Sequence, residues 1–152
     1  MVLFYRITPS LRNPSAGPDA ILHHRNMQKF APHFQSLSDT ATIAVWPEYD
    51  CQRLLKEAEC LITDYSSVAM DFAYMRKPVL YYQFDYEQFR KGHMGEGYYD
   101  YEQDGFGPIC SNENELIQAL EKTASEDFCM EHQYTKRCDA FFYYHDRNYC
   151  KR

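Results

Sequence analysis

Six short apolar runs recur along the chain: VLFYRI, AILHH, ATIAV, CLIT, PVLYYQ and PIC. Each is strand-length and too short for a helix, and turn residues bound most of them, as expected of buried strands. Several of the intervals have helical spacing instead. YDCQRLLKEAE puts Leu54, Leu55 and Ala58 on one face, behind Asp50 as a candidate N-cap. SSVAMDFAYM puts Val68, Phe72 and Met75 four and three residues apart. NENELIQALEK opens with a capping box, Asn112 to Glu115. From Ser125 the chain reads as a last helix running into FFYYHD. RNMQKFAPHF reads as a helical turn broken at Pro32, and TPSLRNPSAGP as a loop. Asp85 to Gly107 carries no clear period. Strands alternating with helices predict βαβ units, a parallel sheet and an α/β fold in one domain over residues 1–152.

Composition narrows the function classes. Apolar residues at 45% and charged residues at 25% describe a globular chain with a proper core. The formal net charge of -6 argues against a general nucleic-acid binder. No apolar run approaches a membrane span, and MVLFYRITPSLR lacks the basic head and long apolar stretch of a signal peptide. The cytoplasm is the expected compartment. The six scattered cysteines then read as free thiols rather than a disulfide framework. Cys129, His132, Cys138, His145 and Cys150 match no zinc-finger spacing, so no metal and no cofactor is expected.

The stretch LITDYSSVAMDFAYMRKPVLYYQFD, Leu61 to Asp85, carries the chemistry. In an open α/β sheet, ligands bind beyond the C-terminal ends of the strands, and Thr63 to Ser67 falls at such an end. A helix start leaves backbone N–H groups unpaired, and small hydroxyl side chains let a phosphate approach them. Ser66 and Ser67 suit that task. They equally suit plain N-capping. Asp64 repels phosphate, and so reads as a cap, a loop tie or a partner for a ligand hydroxyl. TDYSSV is neither a Walker loop nor a GxGxxG fingerprint, and no Gly-x-Ser-x-Gly elbow is present. A second candidate lies in ILHHRNMQKF: from Ala20 to Ser38 there is no acid, and His23 and His24 end a strand. A histidine there is a base, an acid or a phosphate donor, or simply a solvated loop residue.

The block LLKEAECLITDYSSVAMDFAYMRKPVLYYQFD resembles the donor-binding signature of the CDP-glycerol glycerophosphotransferase family, makers of teichoic-acid-like polymers. ILHHRNMQKF and GYYDYEQDGFGPI resemble two looser blocks of that family, so the likeness runs from about Ala20 to Cys150. It implies a Rossmann-like three-layer parallel sheet, the C-terminal half of a GT-B transferase, within a longer two-domain enzyme. It also implies a CDP-glycerol or CDP-polyol donor. A polymer or lipid-linked acceptor would be met through an N-terminal half, with peripheral association at the inner face of the cell membrane. Carried over residue by residue, Ser66 and Ser67 meet the donor pyrophosphate. His24 meets the reacting phosphate, with His23 adjacent, and Asp64 is the motif's acid. Many members carry a base where this chain has Glu96, so Arg90, Lys91 or His93 is expected to substitute. Two rival readings stand beside this one. A GT-B glycosyltransferase would take a nucleotide sugar, and a non-enzymatic α/β binding domain would use its serines only as caps.

Overall fold

The computed structural model describes residues 2–6, 19–23, 41–44, 51–93 and 99–144. Six strands form one sheet: β1 (Val2–Arg6), β2 (Asp19–His23), β3 (Ala41–Ala44), β4 (Cys60–Thr63), β5 (Val79–Tyr82) and β6 (Ile109–Cys110), in the spatial order β3-β2-β1-β4-β5-β6. The strands β4, β5 and β6 run parallel, as do β2 and β3, which gives the Rossmann-like order expected of this alternating pattern. One strand departs from the parallel rule: β1 is antiparallel to both β2 and β4. An unbroken apolar run marks a strand buried on both faces but carries no direction; pairing decides direction. Because β1 alone is reversed, the other five strands point the same way. Their C-terminal ends share one edge.

The helices are α1 (Cys51–Glu57), α2 (Val68–Tyr74), α3 (Tyr86–His93), α4 (Tyr101–Asp104), α5 (Glu113–Ser125) and α6 (His132–Phe141). Alternation along β4 and β5 splits the core between the two faces of the sheet. Leu61, Val79 and Tyr81 pack with Leu54 and Ala58, which α1 and the residue after it supply, and with Ala69 and Phe72 of α2. Cys60, Ile62 and Leu80 face Leu116, Ala119 and Leu120 of α5, and Phe128 beyond it. Helix, sheet and helix make three layers. Ala73, Phe106 and Cys138 form a third cluster, which ties α6 to the end of α2.

Local signals explain most boundaries. Half of the expected capping box is present: the Asn112 carboxamide oxygen accepts from Glu115 N at 3.1 Å, while the return bond reaches one residue further back, a Glu115 carboxylate oxygen accepting from Ser111 N at 2.8 Å. The last helix begins later than Ser125, which instead ends α5. Asp127 and Phe128 both adopt positive φ, 55° each, and break the chain between α5 and α6. The aperiodic stretch from Asp85 holds two short helices, α3 and α4. Asp100 starts α4 by accepting from Glu102 N and Gln103 N, an N-cap that is not visible as hydrophobic periodicity. Asp50, the RNMQKFAPHF turn and the TPSLRNPSAGP loop lie outside the described residues. Cys60, Cys110, Cys129 and Cys138 are free thiols. Among the described residues no helix is long and apolar enough to cross a membrane.

Candidate functional site

Strand β4 is buried throughout and delivers the chain to the common C-terminal edge at Thr63, itself 1% exposed. Asp64, Tyr65 and Ser66 are half-buried there, and Ser67 is exposed. An Asp64 carboxylate oxygen accepts from Tyr65 N at 2.7 Å, so this acid ties its own loop. Capping by the serines is slight. Ser66 Oγ accepts from Val68 N at a long 3.4 Å, and Ser67, in the N-cap position, makes no side-chain cap. Ala69 N and Met70 N turn instead to the carbonyls of Ser66 and Ser67, at 3.2 and 2.9 Å. Among the described residues the backbone N–H groups of Ser66 and Ser67 have no acceptor. The loop therefore presents two main-chain donors and two hydroxyls at the sheet edge. Because α2 has only seven residues, these local donors matter more than any helix dipole.

His23 ends β2 on the same edge. Val2 pairs with His23 on one side and with Thr63 on the other, so the two strand ends stand two interstrand spacings apart, about 10 Å. His24 and Glu96 lie outside the described residues. Arg90, Lys91 and His93 belong to the second half of α3.

Sequence reasoning gave Tyr65 no role, yet it fixes where α3 sits. Its ring stacks on Phe89 with centroids 3.6 Å apart and planes 4° from parallel. Its phenol donates to an Asp85 carboxylate oxygen at 3.0 Å. Burial, reinforced by Asp85, pushes the Tyr65 phenol well above the usual tyrosine range, so it stays a neutral donor. The loop with the serines and the helix carrying Arg90 and His93 are thus clamped together. A hydrophobic pattern has no way to signal this, because residues twenty positions apart make the clamp. Gln83 adds a second tie: its amide nitrogen donates to Asp64 O at 3.3 Å. Beyond the ends of β5 and β6 lies a cavity of about 300 Å³, and Gln83 forms part of its wall.

The rest of the motif is structural. Lys77 Nζ donates to the carbonyls of Leu55, Lys56 and Ala58 at 3.2, 2.6 and 2.6 Å, closing the C-terminus of α1. It sits at the opposite end of α2 from the serines.

Residues 21–152 match the sequence profile of the family described as CDP-glycerol:poly(glycerophosphate) glycerophosphotransferase. Among curated relatives, the minor teichoic acid biosynthesis protein GgaB of Bacillus subtilis (strain 168) is 42% identical over 97 residues, 64% of this chain and 10% of that protein. The teichoic acid poly(glycerol phosphate) polymerase of the same strain is 34% identical over 94 residues, 62% of this chain and 12% of that protein. In structure the chain is similar to the wall teichoic acid polymerase TagF, with a TM-score of 0.63 and 27% identity over 80% of this chain and 28% of that one. A TagF variant soaked with CDPG superposes with a TM-score of 0.62, at 27% identity over 80% of this chain and 29% of that one. The chain therefore spans less than a third of the length of each of these relatives.

Proposed function

This chain belongs to the CDP-glycerol:poly(glycerophosphate) glycerophosphotransferase family, and from that membership we propose that it is the donor-binding domain of a two-domain transferase that builds a teichoic-acid-like or capsular polymer. Its donor is CDP-glycerol or a related CDP-polyol. The observation that carries this reading is the loop at Ser66 and Ser67, with its hydroxyls and with main-chain N–H groups unpaired among the described residues, on the same sheet edge as the strand that ends at His23.

In the proposed reaction an acceptor hydroxyl attacks the β-phosphorus of the donor. A new O–P bond forms, the bond from that phosphorus to the bridging oxygen breaks, and CMP leaves. Such transfer depends on positioning and charge neutralisation more than on covalent help from the protein. Ser66 and Ser67 hold the pyrophosphate, His24 acts at the reacting phosphate with His23 beside it, and Asp64 shapes the loop. Arg90 and His93, on the helix that Tyr65 clamps, supply positive charge where Glu96 does not. The acceptor, a polymer end or a lipid-linked chain, is met by an N-terminal half, and the whole enzyme works against the inner face of the membrane.

Titration calorimetry tests the donor assignment. The chain is expected to bind CDP-glycerol in preference to UDP-sugars. Equal affinity for the two would move it to the nucleotide-sugar transferases, and no nucleotide binding would leave a purely structural α/β domain. In a full-length protein carrying this segment, His24→Ala is expected to lower turnover by about two to four orders of magnitude. Loss only in His23→Ala would move the role to that neighbour. The 152-residue chain alone is expected to release no CMP with a polyglycerophosphate acceptor, since it holds one wall of the cleft. Orientation by both walls is worth about 7–11 kcal/mol of the barrier.

A further inference from the structure

The cavity beyond β5 and β6 carries a group that the donor loop does not explain. Gln83 is 3% exposed. Its main-chain N–H donates to Cys110 O at 2.9 Å and its amide nitrogen to Asp64 O at 3.3 Å. Its amide oxygen has no donor among the described residues. A buried carbonyl without a partner is costly, and one that lines a cavity is accounted for when a ligand supplies the donor. The cavity, about 300 Å³, is walled by Gln83, Tyr86, Asp100, Tyr101, Glu102 and Ser111. Its polar groups are the Asp100 and Glu102 carboxylates, the Gln83 amide and the hydroxyls of Tyr86, Tyr101 and Ser111. Asp100 spends a carboxylate oxygen on Glu102 N and Gln103 N, whereas the exposed Glu102 carboxylate accepts nothing among the described residues. Among the described residues no lysine or arginine lines it. Burial pushes the Tyr101 phenol up to about 12, so the wall gains no charge there near neutral pH.

Acceptors and carboxylates without a cation reject phosphate and favour hydroxyl donors, and tyrosine rings cover the C–H faces of a polyhydroxylated ligand. We propose that this cavity is a subsite for a vicinal diol, held by the Gln83 amide oxygen and the Glu102 carboxylate. Gln83 joins it to the donor loop, since the same amide group grips the Asp64 main chain. The inference rests on the donor reading above, under which three vicinal diols come into reach: the donor's glycerol, its ribose, and the terminal glycerol of the growing polymer.

Titrations of CDP-glycerol, CDP and a polyglycerophosphate oligomer into wild type, Glu102→Ala and Gln83→Met separate these sources. A loss of about tenfold is expected for the probe whose diol is held. Loss for CDP-glycerol alone marks the glycerol, loss for CDP-glycerol and CDP together marks the ribose, and loss for the oligomer alone marks the acceptor. Should Gln83→Met not fold, Glu102→Ala, at an exposed carboxylate, decides the matter alone. Suppose Ser66→Ala/Ser67→Ala weakens CDP-glycerol while Glu102→Ala leaves all three probes within about twofold of wild type. That result overturns the subsite and leaves the donor reading standing. A wild-type chain that binds none of the probes overturns both.

Discussion

The two ends of α2 lie within one continuous sequence motif and are built on opposite terms. At the N-terminal end, Ser66 and Ser67 keep their backbone N–H groups unpaired among the described residues. At the C-terminal end the polar groups are used. Arg76 takes a left-handed conformation, φ 61°, and from there donates to Thr135 O at 3.2 Å and to an Asp139 carboxylate oxygen at 2.5 Å. Lys77 fills three carbonyls of the α1 terminus and lies 5.4 Å from the centre of the Phe72 ring. The contrast follows from what each end meets. The C-terminal end of α2 abuts α1 and α6, which bring carbonyls and a carboxylate within reach of Arg76 and Lys77. The N-terminal end opens on the edge of the sheet where ligands bind in α/β folds, and donors left unpaired there remain available. A shared motif thus holds polar residues whose donors are used in packing and polar residues whose main-chain donors are unpaired among the described residues, and only their partners tell them apart.

Phe72, fully buried between the two ends, is the change that destroys the contrast outright. Phe72→Ala is expected to cost about 3–5 kcal/mol in urea unfolding, because the sheet and α1 cannot close the void. Next comes Lys77→Met, which keeps an apolar stem but strips three carbonyls of their donor. A loss of about 1–3 kcal/mol is expected, with donor affinity unchanged in protein that remains folded. A fall in affinity comparable to that of the serine variant would show that the two ends are coupled.

The serine pair sharpens the comparison from the other side. Ser66→Ala/Ser67→Ala is expected to weaken CDP-glycerol binding by about ten- to a hundredfold, the range for hydrogen bonds to a charged group. The melting midpoint should not move, since the hydroxyls cap little. A drop in melting temperature without loss of binding would reassign the serines to the scaffold.

The smallest effect belongs to the Lys122–Glu131 pair, which joins α5 to the start of α6 at 2.6 Å. Lys122 holds the Glu131 carboxyl below its ordinary value of 4.5. A carboxyl depressed in the folded state contributes stability above its unfolded value and loses it as pH falls through the folded one. Glu131→Gln should therefore cost a little stability at neutral pH, change nothing well below the folded value, and so flatten the acid limb of the stability profile slightly.

Much of the fold was legible as pattern. The runs CLIT and PVLYYQ announced β4 and β5, Val68, Phe72 and Met75 announced α2, and Asn112 with Glu115 announced the start of α5, because burial and capping act over a few residues. The TDYSS loop was legible as a candidate site for the same reason: small hydroxyl residues lie between a buried strand and a helix. Other features rested on partners distant in sequence. The reversal of β1 depends on which strands flank it, α3 is held by Tyr65 from twenty residues away, and the break before α6 lies in two left-handed residues that no periodicity marks. Nor did any spacing show that Gln83 would be buried with its amide oxygen unpaired among the described residues. Local sequence determined where elements start and which face they bury. Tertiary structure alone decided which donors and acceptors were left over, because a polar group is free or satisfied only with respect to everything packed around it.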